Sequence, residues 1–411
     1  PPRSTPKPSS AASDVYKRQG DNNTACGMKA LYLATTASNN TACGSNALYS
    51  NTTGASNTAL GAYALDAITT SSECTAVGHA ALGVNTAGAN TAVGHRALEA
   101  NTTGGQNTAL GQRAGYQVTT GQYNSLHGWN AGGSITTGSN NTAVGNRALD
   151  AVNNDDNTAV GYASLSSNCG TQNTAVGSSA LNANTTDYNT AVGYAAMYYN
   201  STGGENTAVG RTALHSNTTG DNNTALGYNA MYSNTTSDNN TAVGAFSLDA
   251  NTTGYDNTAI GAGALSACVT GMGNAVLGSY CARLVTGSGN VAIGRDALYT
   301  GVACNYNVAI GYHAGNDITT GGKNIAIGDE CLAKLSTASG NVAVGSAAGY
   351  AMTTGSQNVS VGYEALKTIT TGIENTAVGY YALRLSESAS TKNTCIGYNA
   401  GGNAPTANNL V

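Results

Sequence analysis

Residues 206–222 read N-T-A-V-G-R-T-A-L-H-S-N-T-T-G-D-N, and residues 223–239 read N-T-A-L-G-Y-N-A-M-Y-S-N-T-T-S-D-N. Each slot of one stretch has its counterpart in the other. Followed outward in both directions, the pentapeptide N-T-A-V-G or a close variant recurs 23 times, from Asn23-Thr24-Ala25-Cys26-Gly27 to Asn393-Thr394-Cys395-Ile396-Gly397, at intervals of 16, 17 or 18 residues. A unit of about 17 residues is too short for a helix pair or a propeller blade and fits one coil of a β-solenoid. The chain is therefore predicted to be all-β: a parallel β-solenoid, or β-roll, of about 23 coils over residues 21–402.

Copies within the chain can be compared slot by slot. The residue before the closing glycine is aliphatic in 20 of 23 copies, with Cys26, Cys43 and His127 as exceptions. Two residues earlier, Thr gives way to Val291, Val308, Ile325, Val342 and Val359. Residues two apart on a strand share a face, and both slots take β-branched side chains, so the expectation is that Thr and Val point together into a dry interior. On that reading a charge at Val243 would unfold the coil. The slot between them is Ala in 19 copies and never charged, the exceptions being Leu126, Val276, Ser360 and Cys395; it is expected to form a second, covered face along which identical chains associate. Asn opens every copy but the one beginning at Cys74, as stacked amide ladders require. After the glycine, pairs such as Ala47-Leu48, Ala97-Leu98, Ala213-Leu214 and Ala365-Leu366 suggest a second strand facing the first, and N-T-T-G or its variants close the coil.

Composition narrows the function classes. Charged residues make up 9% of the 411, with 16 Lys and Arg against 21 Asp and Glu, so no basic stripe exists to neutralise phosphate, and neither nucleic acid nor a membrane surface is an expected partner of this segment. No apolar run approaches the roughly 18 residues of a membrane-spanning helix. Disorder is excluded by the strict return of the aliphatic residues. Residues 1–20 lack the repeat, and Asp14-Val15-Tyr16-Lys17-Arg18-Gln19 looks like a translated transposon sequencing adapter, so a non-native leader on a reading frame from an environmental assembly is expected there; residues 403–411 read as an irregular, truncated tail.

The later copies carry a resemblance. N-V-A-I-G at Asn290–Gly294 and Asn307–Gly311, N-I-A-I-G at Asn324–Gly328 and N-V-A-V-G at Asn341–Gly345 resemble the head repeats of trimeric autotransporter adhesins, and are similar to repeats of phage tail-fibre-like proteins. The resemblance covers residues 21–402 and implies a left-handed parallel β-roll, a homotrimer, and attachment to a surface glycan or protein receptor from the outside of a cell or virion. The period here is longer than that family's, and no coiled-coil stalk, anchor barrel or C-terminal chaperone domain is seen in the sequence.

Chemistry is sparse. The five His are scattered, and His79, His95, His215 and His313 fall in tolerant slots after the glycine. His127 occupies the aliphatic slot of the irregular copy Asn124-Ser125-Leu126-His127-Gly128-Trp129, which reads as a slipped or frayed coil and, with the only Trp, as a place for ligand contact. The doublets Asp155-Asp156 and Asp329-Glu330 have no recurring partner, and periodic Asp is lacking, so neither catalysis, a metal nor a cofactor is expected. The nine Cys form no C-x-x-C or Cys/His cluster; Cys26 and Cys43 share one slot in adjacent copies, within disulfide reach, but read as small hydrophobes. Asn51, Asn101, Asn184, Asn217, Asn234 and Asn251 begin N-T-T sequons that also read as turns. The expected function is a structural fibre or adhesin that presents Tyr162, Tyr194, Tyr228, Tyr363 and Tyr380, with Trp129 and His127, to a surface ligand. Its rivals are an ice-binding solenoid, which an inward Thr slot counts against, and a passive spacer in a surface or tail filament.

Overall fold

The computed structural model describes residues 20–150, 154–167 and 169–402, so the predicted tail and all of the predicted leader but Gly20 lie outside the described residues. It is an all-β parallel β-solenoid with one three-residue strand in each of 23 coils. The chain falls into two units. In the first, ending at Asn173, strands β1 (Thr24–Cys26) to β9 (Thr158–Val160) pair parallel, each in register with the next. In the second, from Thr174, strands β10 (Thr174–Val176) to β23 (Thr394–Ile396) do the same. Identical slots thus stand above one another.

The strand is inside out relative to the sequence expectation. The middle residue, Ala, is the one that points inward: Ala42, Ala59, Ala92, Ala208, Ala225 and Ala242 are fully buried. Thr and Val face outward, with Leu226 44% and Leu277 48% exposed, and Val243 only half-buried on the same outward face. Size is the reason. The coil is so thin that its inner wall admits a methyl group opposite the buried Ala-Leu pairs, such as Ala213-Leu214, and little more. The Ala slot cannot therefore be an association surface, because it is the coil interior.

Among the described residues the expected second strand is absent. From the glycine onward the chain runs through a series of turns in which non-glycine residues adopt positive φ: in the coil that begins at Gly227, Asn229 (φ 54) and Met231 (φ 51), then Asn239 (φ 58) before the next strand. Such conformations are costly for L-residues. They are held by hydrogen bonds between coils, the Asn229 N–H donating to Arg211 O (3.2 Å) and the Met231 N–H to Ser247 O (3.0 Å). The closing glycine is required twice over: at Gly210 φ is +141°, and a Cβ there would lie 2.4 Å from Gly227 O of the next coil.

The amide ladder is present and does two jobs. The Asn240 N–H donates to Asn223 Oδ1 of the preceding coil (3.0 Å), and its Nδ2 donates to Gly254 O (3.0 Å) in the turn that closes its own coil. Backbone donors at the strand start and carbonyls at the turn are satisfied together, inside a dry core. A second ladder runs through the Asn of N-T-T, where Asn217 Nδ2 donates to Asn200 Oδ1 (2.6 Å) and Asn234 Nδ2 to Asn217 Oδ1 (2.9 Å).

The coil of β7 (Ser125–His127) is neither slipped nor frayed. It pairs in register with β6 (Thr108–Leu110) and β8 (Thr142–Val144), and Leu126 is fully buried in the Ala slot. Room for it comes from the two Gly that stand in the usual Leu slot. A Cβ at Gly115 would lie 2.8 Å from Leu126 Cδ1, and one at Gly132 2.7 Å from Leu126 Cδ2. Core volume is conserved by exchanging the large residue across the coil.

Candidate functional site

Two outward surfaces carry what chemistry the coils have. The first is the strand face, where Thr stacks on Thr and Val, Leu or Ile on its like, in register within each unit. Across all 23 coils its two slots hold no Lys, Arg, Asp or Glu, and His127 is its only ionisable imidazole. A half-exposed face free of charge over so many coils is unlike an ordinary solvated sheet surface.

The second surface is the turn run after the glycine. The predicted residues Trp129, Tyr162, Tyr194, Tyr228, Tyr363 and Tyr380 all occupy its first position and are all exposed. They are not gathered into one site. Tyr363 and Tyr380 stack at 5.2 Å, with Tyr398 on the other side of Tyr380 at 5.5 Å, while Tyr228 meets Phe246 edge-on at 5.1 Å. In the Tyr363–Tyr380–Tyr398 stack the rings cover one another's faces and offer mainly edges and hydroxyls. The Tyr380 hydroxyl is pushed up to about 12 by its hydrogen bond with Tyr381. His127 lies on the strand face instead, its Nε2 3.4 Å from Ser125 Oγ, and it joins none of the tyrosines.

The sequence reading overlooked the second and fifth positions after the glycine, which form neighbouring columns and hold most of the charged and aromatic variety. Arg96 pairs with Glu99 (2.5 Å), Arg147 with Asp150 (3.4 Å), and Glu364 with both Lys367 (2.6 Å) and Arg384. Fifth-position rings stack as Tyr198–His215–Tyr232, at 5.6 and 4.9 Å, and burial lowers the His215 imidazole below its ordinary value. The signal was in the sequence, in opposite charges three apart after the same glycine.

Among the described residues no three His, Cys, Asp or Glu are placed to hold a metal ion. Cys26 and Cys43 are register partners on β1 and β2 (Thr41–Cys43) with free thiols, and the hydrogen bond of the Cys43 thiol to Cys26 holds it above its ordinary value. Burial pushes Cys268 and Cys304 to about 11 and Cys281 and Cys331 to about 12, so these thiols stay protonated and inert. The sequon residues Asn51, Asn101, Asn184, Asn217, Asn234 and Asn251 are fully buried and closed to modification in the folded coil. Among the described residues no helix is long and apolar enough to cross a membrane. No family model matches the chain, and a search of curated protein sequences finds no significant relative.

Proposed function

We propose that the chain is a structural fibre segment of an adhesin-like or tail-fibre-like protein, working outside a cell or on a virion, with no catalysis. Its strand face packs against copies of itself, and its turn columns meet a surface glycan or protein receptor. The observation that carries this reading is the strand face, which is half-exposed, in register and free of charge. Such a surface gains by leaving water, and association between identical chains is the simplest way to cover it. A homotrimer is the count implied by the resemblance to trimeric adhesin heads, and multivalent display would compensate for weak contacts at each coil.

The test is sedimentation equilibrium of the purified chain and of a triple variant, Leu226→Lys, Ile260→Lys and Leu277→Lys, all on that face. The expected result is a trimer that becomes a folded monomer in the variant. A native chain that stays monomeric at high concentration would sink the reading.

The same face favours a second reading. Thr now points outward in a regular array, which removes the reason for setting ice binding aside. Thermal hysteresis distinguishes the two: activity of the native chain that vanishes in the triple Lys variant, with no oligomer to dissociate, would assign the face to ice.

A further inference from the structure

In the turn columns, Asp249 and Arg283 stand without an ion-pair partner among the described residues, and both face one cleft. Asp249 stands at the fifth position of its coil, but its second-position neighbour is Phe246, which offers no cation, and the next coil presents Gly263 and Ser266. Among the described residues Asp249 forms no ion pair, and its Oδ1 is buried without a hydrogen-bond partner. Arg283, two coils on, has no carboxylate partner either. Its Nη1 donates to the Tyr299 hydroxyl (2.8 Å), and its guanidinium lies over the Tyr280 and Tyr299 rings at 5.5 and 5.9 Å.

Gly263 opens the space between them. It sits in the second-position column between Phe246 and Tyr280, whose attachments are two coils, or roughly 10 Å, apart. The Tyr280 ring leans over the bare glycine, where a Cβ would lie 2.8 Å from its Cδ1. The resulting cleft has a volume of about 520 Å³. Aromatic surface walls it, with an unpaired carboxylate on one flank and an unpaired guanidinium on the other. Burial raises the Asp249 carboxyl above its ordinary value, while its own backbone N–H, that of Ala250 and the charge of Arg283 pull the other way.

From this geometry we infer a binding site for an acidic sugar, a hydroxylated ring that carries a carboxylate. The ring's C–H face packs on Phe246 and Tyr280, its carboxylate takes the Arg283 fork, and its hydroxyls donate to Asp249. A flat apolar ligand would leave both charges unmet, and an ammonium ligand drawn to Asp249 would meet Arg283. The inference deepens the surface-attachment part of the function proposed above and does not depend on the strand face.

The test is saturation-transfer NMR and calorimetry on the purified full chain, with methyl β-D-glucuronide, the methyl glycoside of N-acetylneuraminic acid and, as the neutral probe, methyl β-D-glucoside. Binding of at least one acidic probe is expected, with saturation on its ring protons and little or none for the glucoside. Arg283→Gln should weaken it by at least about tenfold, the scale of one charge-assisted hydrogen bond, and erase the preference for a carboxylate. Gly263→Asn, a residue already accepted at positive φ in the same column at Asn229, must push aside the Tyr280 ring, which a Cβ there would approach to 2.8 Å, and should abolish binding by filling the cleft, with a thermal melt to confirm that the coil still folds. The proposal is overturned if neither acidic probe binds, if the glucoside binds as well as they do, or if both variants bind like the native chain. Each of those outcomes leaves the trimer to be judged separately by sedimentation.

Discussion

Two sets of columns in the same coil tolerate opposite things. The inner column of the strands holds Ala in 19 of 23 coils and only the uncharged Leu126, Val276, Ser360 and Cys395 otherwise, whereas the second and fifth columns after the glycine accept Arg, Glu, Tyr, Phe, Gly and His in no fixed order. The first is limited by volume; in the second set, the second position keeps positive φ whatever side chain it bears, as at Arg96, Phe246 and Glu364, while the fifth is free of that constraint. A solenoid can therefore vary its surface coil by coil without disturbing what stacks the coils. The strand face lies between these extremes, exposed enough to vary and yet free of charge, which is the ground for proposing a partner there.

The sharpest way to break the comparison is to place a charge on each side of one strand. Ala225→Asp puts an unpaired carboxylate in the dry interior and should cost about 4 kcal/mol or more, melting its neighbouring coils. Leu226→Lys, one residue on and outward, should change stability by no more than about 0.5 kcal/mol when measured on the monomer. Paired thermal melts decide it; equal losses would mean that the strand has no distinct inner and outer face.

The next largest effect tests whether volume governs the inner column. Leu126→Ala should cost about 2–5 kcal/mol, because Gly115 and Gly132 have no side chain to fill the space that Leu126 leaves. Adding Gly132→Leu, which restores the usual Leu slot at a φ that Leu adopts elsewhere in the coils, should recover part of that loss. Denaturant melts of the single and double variants give the coupling, and strictly additive losses would contradict compensation across the coil.

The repeat, its period, the parallel register and the amide ladder were legible in the sequence because 23 copies average out local accidents. The face of the strand was not. Exchange of Thr for Val, as at Val291 and Val308, was read as a sign of burial, but a β-branched slot serves equally on an exposed sheet surface. The informative slot was Ala, whose constancy of size marks a crowded interior more surely than hydrophobicity does. Leu126 could have revealed this, since the Gly at 115 and 132 mark the volume that it takes. The turn columns escaped notice for a different reason: positive φ at ordinary residues such as Leu65 and Arg96 has no sequence signature, so a run of turns reads as a strand. The cleft at Gly263 depends on contacts between coils, which spacing within one coil does not reveal.

A smaller gain should come from mending the ladder. At Cys74 the N–H still donates to Asn57 Oδ1 (3.0 Å), but the Asn90 N–H of the next coil meets only the thiol, a weak acceptor. Cys74→Asn supplies a carboxamide oxygen at that point and should raise stability by about 1 kcal/mol, read as a higher melting temperature of the first unit. A drop would show that the slot has adapted to sulfur.

The smallest effect belongs to the variable columns and concerns acid. Burial pushes the Glu364 carboxyl up, but Lys367 and Arg384 more than offset this and hold it below its ordinary value of 4.5. As the pH falls, the unfolded chain takes up this proton before the folded one does. The contribution of Glu364 to stability is therefore complete above about pH 4.5 and is lost as the pH drops below it. Glu364→Gln should lower the melting temperature modestly at pH 7, and the difference between variant and native should shrink steadily as the pH is taken below 4.5. A difference that widens in acid would mean that the carboxyl is held protonated by burial, and that the inner-column rule extends to at least one position on the display surface.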